Sequence, residues 1–109
     1  MNFFICYDIS DDKRRLRLSK LLLRSGCERV QKSVFVAANF ERIEMIRLKN
    51  KVERLLNVLH TPEGINEGVS IDDSVLYIPL ENDAVPDVVW QGNKATWSKL
   101  WKKDYGKFL

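Results

Sequence analysis

The chain has 109 residues, 45% of them hydrophobic and 30% charged, with a formal net charge of +3 and a sequence pI of about 8.9. That is the length and balance of one globular domain, and it excludes a multi-domain assembly or a disordered chain. No apolar run approaches the ~18 residues of a membrane span, and MNFFICYDI has neither a basic leader nor a small-residue cleavage site, so no membrane segment or signal peptide is expected.

Charge is segregated along the chain. Residues 1–60 carry a net +6, residues 61–93 a net −7 with no Lys or Arg, and residues 94–109 a net +4. A basic body, an acidic stretch and a basic tail predict a polarised surface field and a polyanionic partner. The two cysteines, Cys6 and Cys27, lack zinc-like spacing and read as reduced structural thiols of a cytoplasmic protein.

Residues 2–9 read as a strand that is apolar on both faces. Phe3, Ile5, Tyr7 and Ile9 point one way, and Phe4, Cys6 and Asp8 the other, so the strand belongs at the centre of a sheet covered on both sides. Ser10-Asp11-Asp12 offers caps for a basic, leucine-rich helix that runs to about Ser25, with Leu18, Leu21 and Leu22 inward and Gly26 as C-cap. Residues 28–39 predict one long strand or two short ones meeting near Ser33. Residues 40–59 predict a second helix, burying Met45, Leu48, Val52, Leu55 and Leu59.

Residues 60–72 are a loop, and residues 73–80 the last core strand, ending at an edge because Pro79 cannot donate to a ladder. An acidic connector with Pro86 follows, then the short run Val88-Val89-Trp90. The tail from Thr96 to Leu109 reads as a helix with Trp97, Trp101, Tyr105 and Phe108 on one face. The element order fits an α+β, ferredoxin-like βαββαβ sandwich with both helices on one side of an antiparallel sheet. The other side needs a cover, and a second copy supplies it: a homodimer with face-to-face sheets.

Asp8 is the sharpest chemical feature, a carboxylate ending an apolar strand. Two copies of it meeting across a two-fold axis would repel unless a cation sat between them, and Mg²⁺ accepts one or two carboxylates while keeping its waters. The alternative is a turn or capping role beside Ser10 and Asp11. Lys13, Arg14, Arg15, Arg17, Lys20 and Arg24 crowd the first helix, and Arg29 and Lys32 follow it. Solvated helix faces are the plain reading; phosphate-backbone binding is the one favoured by the segregation of charge. His60, the one histidine, reads as a helix-end cap, and no serine-nucleophile apparatus or P-loop is present.

The run Tyr7-Asp8-Ile9-Ser10-Asp11-Asp12-Lys13-Arg14-Arg15, followed by Arg29-Val30-Gln31-Lys32-Ser33-Val34-Phe35 and the ending DSVLYIPL, resembles one known family. It is the small CRISPR-adaptation endonuclease that partners the spacer integrase. The resemblance covers residues 1–80, a ferredoxin-like nuclease domain, and leaves 81–109 as a C-terminal strand and an aromatic, basic tail. It implies a homodimer with a Mg²⁺ or Mn²⁺ site formed by Asp8 of both protomers, and endonuclease activity on single-stranded RNA or double-stranded DNA. Asp8 as metal ligand, Tyr7 beside it, and Ser33 and Phe35 are the catalytic positions it implies. Arg14, Arg15, Arg17, Lys20, Arg24, Arg29 and Lys32 are the nucleic-acid contacts expected with them. Lys32 stands where the family frequently has an aromatic residue, and the tail matches nothing. A non-catalytic DNA scaffold bridging integrase dimers and a toxin ribonuclease of the virulence-associated protein D type are the alternatives.

Overall fold

A strand that is apolar on both faces has to be packed on both, and β1 (Phe3–Asp8) sets the architecture on that account. The computed structural model describes residues 1–56, 72–89 and 91–92. After β1 come α1 (Asp12–Arg24), β2 (Glu28–Gln31), β3 (Val34–Ala37), α2 (Arg42–Leu56), β4 (Ser74–Pro79) and a 3-10 helix at Asn82–Asp87. The sheet order is β2-β3-β1-β4, with every neighbouring pair antiparallel. This is the expected βαββαβ ferredoxin-like arrangement.

On the helix side, Ile5, Tyr7, Phe35 and Ala37 of the sheet pack with Leu18 and Leu22 of α1 and Met45, Leu48 and Val52 of α2. The register places Ile5 between Phe35 and Tyr77. Each fully buried side chain of this size contributes roughly 1.5–3 kcal/mol.

Local chemistry sets the element ends. The Asp11 carboxylate accepts from the Arg14 amide at 3.0 Å and starts α1, a cap worth about 1 kcal/mol. At the other end Gly26 takes φ +95°; its N–H reaches the Leu23 carbonyl, and the Cys27 N–H reaches that of Leu22. This paired closure needs a left-handed residue, which is why glycine stands there. Of the two readings of residues 28–39, the split one is right: a turn at Lys32-Ser33 separates β2 from β3. Neither turn residue has positive φ, a geometry that splays a hairpin. A register shift between Arg29 and Gln31 gives β2 one extra residue and restores the twist. For α2, the Glu44 carboxylate reaches back to the Glu41 amide at 3.0 Å. The expected helix residues 57–59 and the whole expected tail helix lie outside the described residues.

The helix-free side corrects one expectation. The chain covers part of it unaided. The 3-10 helix folds back beneath the sheet, and Val85, 1% exposed, joins Val30, Val36 and Ala38 in a second core with Phe4 and Val88 against it. Described residues 81–89 form the 3-10 helix and irregular chain, and the expected run Val88-Val89-Trp90 ends on a residue outside those described. The remainder of that side stays open: Leu76 is 59% and Ile78 42% exposed on the edge strand β4, which ends at Pro79 as expected.

Asn2 joins three segments. Its Oδ1 accepts from Asn39 N, its Nδ2 donates to Asn82 Oδ1, and its carbonyl accepts from Leu80 N. Asn2 thereby ties the ends of β3 and β4 and the 3-10 helix to the start of β1.

Arg14 is the second correction. It is buried, and its guanidinium donates to the Leu55 carbonyl at 2.7 Å. A cation against the last turn of α2 is favoured by the helix dipole. Its Nε has no partner among the described residues. Arg14→Ala is expected to cost about 1–3 kcal/mol, read as a lowered urea midpoint.

Burial pushes the Tyr77 hydroxyl up to about 12, helped by Cys27, and burial together with Glu28 pushes the Cys27 thiol up to about 12. Both groups are neutral when protonated, and the fold holds those protons more tightly than the unfolded chain does. Their contribution is therefore intact below about pH 9 and is lost as pH rises through about 12. The Tyr77 hydroxyl is also buried without a hydrogen-bond partner among the described residues. Tyr77→Phe should leave Tm at neutral pH unchanged or raised and should flatten the alkaline loss, as thermal melts across that range would record.

Candidate nucleic-acid and metal site

The C-terminal end of β1 gathers most of the residues singled out in the sequence, and strand alternation sorts them onto two faces. Asp8 is exposed, opposite Ser74 of β4, with the parity of Phe4 and Cys6, so it belongs to the helix-free side. Tyr7 has the other parity and is buried among the helices. Its N–H donates to the Ser33 carbonyl at 3.1 Å, and its hydroxyl to the Lys32 carbonyl at 3.3 Å. The ring stacks beside Phe35, centroids 6.1 Å apart. Phe35 is fully buried. Tyr7 thus lines the floor of the groove described next, with its hydroxyl bonded to the Lys32 carbonyl, while Phe35 packs beneath it.

Above them lies a groove of about 240 Å³ between α1 and the Lys32-Ser33 turn, with Arg15, Leu16, Ser19, Arg29, Lys32 and Ser33 in its walls. Arg15 is pinned: it donates to the Ile9 carbonyl at 3.0 Å and the Ser10 carbonyl at 3.3 Å, and it pairs with Asp12. The Arg29 guanidinium lies 5.1 Å from the Phe35 ring centroid. This cation–π contact holds a flexible side chain in one plane. Arg17, Lys20 and Arg24 are exposed along α1, outside the groove. Arg14 is the one expected phosphate contact that the structure removes from the surface.

The sequence reading overlooked Leu16. It is 54% exposed and sits off the inward stripe of α1. An apolar residue on an otherwise charged face was the available signal.

The carboxylates near Asp8 are committed elsewhere. Asp11 caps α1, Asp12 pairs with Arg15, and Asp73 accepts from the amide and hydroxyl of Ser10 at 3.0 and 3.2 Å. Among the described residues no cluster of three or more His, Cys, Asp or Glu side chains could hold a metal ion. Among the described residues Asp8 thus has no cluster of further donors around it, and the donor set would fit Mg²⁺ or Mn²⁺ if a second Asp8 faced the first.

The family model described as CRISPR associated protein Cas2 matches residues 1–87. The chain belongs to the Cas2 family. It is 51% identical over 53 residues to the CRISPR-associated endoribonuclease Cas2 of Thermus thermophilus, covering 49% of this chain and 54% of that one. It is 37% identical over 71 residues to CRISPR-associated endoribonuclease Cas2 2 of Pyrobaculum aerophilum, covering 65% and 70%. The match to Cas2 2 of Synechocystis is 58% over 36 residues, covering 32% and 38%. The chain thus spans between 38% and 54% of the length of the Synechocystis and Thermus relatives. The crystal structure of Streptococcus pyogenes Cas2 superposes with a TM-score of 0.62 at 24% identity, over 84% of this chain and all of that one, a likeness of fold. No helix among the described residues is long and apolar enough to cross a membrane.

The hydrogen bonds of Tyr7 make a prediction about the turn. Tyr7→Phe removes one long bond and should cost about 1 kcal/mol or less, whereas Tyr7→Ala empties the space beneath the turn and should cost about 3–5 kcal/mol. Urea denaturation of the two variants separates these outcomes.

Proposed function

We propose that the chain is a metal-dependent endonuclease of CRISPR adaptation, acting on RNA or DNA as a homodimer with face-to-face sheets. The observation that carries this reading is the exposed Asp8 carboxylate on the same side of the sheet as the uncovered Leu76 and Ile78. A second copy seated on that side by a two-fold axis would bury both apolar residues twice over and bring the two Asp8 side chains together. Charge repulsion between them would then call for a cation. A Mg²⁺ or Mn²⁺ ion held there would supply Lewis-acid polarisation of a phosphodiester and acidify a water.

The chain's own residues do the holding. Asp8 marks the reacting end of β1. Arg17, Lys20 and Arg24 present donors to phosphates from α1, and Arg29 and Lys32 do so from the hairpin. Phosphate contacts of this kind do not distinguish RNA from DNA. The names of the relatives favour RNA as one substrate, and family membership supports the spacer integrase as protein partner.

A second role is favoured by the length of the basic stripe. From Lys13 to Arg24 it runs about 16 Å along α1, more than one scissile phosphate requires. Such a surface suits a scaffold that holds DNA between integrase dimers.

Purified wild type with Mg²⁺ should cleave RNA or duplex DNA, and Asp8→Ala should lose about 100-fold or more of that activity. Full cleavage by Asp8→Ala would refute the nuclease reading. If that variant still supports spacer acquisition in cells, the scaffold role is the biological one. Leu76→Glu should give a monomer in light scattering and lose cleavage with it; a dimeric Leu76→Glu protein would place the interface elsewhere.

A further inference from the structure

Among the described residues the Asp8 carboxylate has no hydrogen-bond or ion-pair partner. It stands at the last pair of the β1–β4 ladder, opposite Ser74. Strand ends fray, because local opening there costs little. A carboxylate in such a place keeps its direction only if the chain beside it is fixed.

That chain is fixed on three sides. Ile9 is 2% exposed and anchors its side chain in the helix-side core. From α1, the Arg15 guanidinium donates to the Ile9 and Ser10 carbonyls. From the opposite side comes Asp73, the residue before β4. Its Oδ1 accepts from the Ser10 amide at 3.0 Å and from the Ser10 hydroxyl at 3.2 Å. Arg15 thus takes the acceptors of this turn and Asp73 takes its donors. Hydrogen bonds to an ionised group are about twice as strong as neutral ones. Asp73 extends the pairing of the two strands by one side-chain link, just past the Asp8–Ser74 pair where the backbone ladder stops.

We infer that Asp73 is a positioning residue: through Ser10 it fixes the end of β1 and so the direction of the Asp8 carboxylate. Displacing a reacting group by about 1 Å costs on the order of 100-fold in rate. Losing a partner one step behind a metal ligand typically costs about 10- to 100-fold in metal affinity. The consequence for cleavage rests on the nuclease reading above, whereas the fixing itself belongs to the metal-free chain.

Amide hydrogen exchange in EDTA reads the fixing directly. In Asp73→Ala the Ser10 amide should exchange about tenfold faster than in wild type. The Tyr7 amide, bonded to the Ser33 carbonyl, should exchange as before, which separates local release from lost stability. Mn²⁺ affinity by titration calorimetry should fall about tenfold. The kcat for RNA cleavage should fall about tenfold as well, with KM within about twofold of wild type. Asp73→Asn keeps the acceptor oxygen and loses the charge, so it should recover most of each loss. Ser10→Ala should cost about threefold in kcat by itself and nothing further in the Asp73→Ala background, as two ends of one link require. Asp83→Ala removes an acid from the 3-10 helix and should leave every readout unchanged. Wild-type exchange of the Ser10 amide in Asp73→Ala, or an Asp73→Asn protein as impaired as Asp73→Ala, would overturn the inference. Where wild type cleaves, that result leaves the nuclease reading standing. A wild type that neither cleaves nor binds Mn²⁺ overturns that reading, and exchange at Ser10 still decides whether Asp73 fixes the strand end.

Discussion

The two-sided apolarity of β1 governs this molecule. A central strand with Ile5 and Tyr7 on one face and Phe4 and Cys6 on the other cannot leave either face in water. The helices α1 and α2 settle the first face. For the second, the described chain offers only the fold-back at Asn82–Asp87, which covers the β2-β3-β1 half through Val85. The strip beside β4 is left showing Leu76 and Ile78. Among the described residues the β4 strip of one sheet face therefore keeps apolar side chains exposed, and Asp8 stands at the end of that same face.

Strand alternation then divides the labour of two successive residues. Asp8 belongs to the open side. Tyr7, with the other parity, reaches beneath the β2–β3 turn and holds both of its carbonyls. The same strand end thus carries an exposed carboxylate on one side and braces a cationic turn on the other. Tyr7 and Phe35, which the motif placed among the catalytic positions, pack beneath the hairpin that carries Arg29, Lys32 and Ser33. A motif records which residues travel together; only the fold separates those that meet solvent from those that hold them in place.

The readable parts of the sequence were those fixed by local chemistry. Asp11 as cap, Gly26 as terminator, the break near Ser33 and the Met45-Leu48-Val52 stripe all follow from spacing and backbone preference. Arg14 was misread because an arginine inside KRRLR looks solvated. Its position four and eight residues before Leu18 and Leu22 put it on the buried stripe, where a long side chain can reach the end of α2. The cover supplied by Val85 was missed because a single valine beside a proline has no periodicity to detect. Asn2 was missed for a related reason: its three bonds run to Asn39, Leu80 and Asn82, distant in sequence, and no local pattern encodes them.

Charge segregation along the chain becomes segregation in space. The exposed Glu81, Asp83 and Asp87 sit with the 3-10 helix, which the Asn2–Asn82 contact ties to the start of β1. Asp8, Arg29 and Lys32 lie toward the other end of that strand, about 20 Å away at strand rise. At physiological ionic strength that is more than two Debye lengths, so Glu81, Asp83 and Asp87 offset little of the potential at the basic end, whereas Asp72 and Asp73 lie beside it. Asp73, just before β4, accepts from the amide and hydroxyl of Ser10. Among the described residues the exposed cations of α1 and of the hairpin turn are therefore concentrated away from the 3-10 helix and its acids. The mild net charge understates this, because the field that guides a ligand is set by where charges lie and not by their sum.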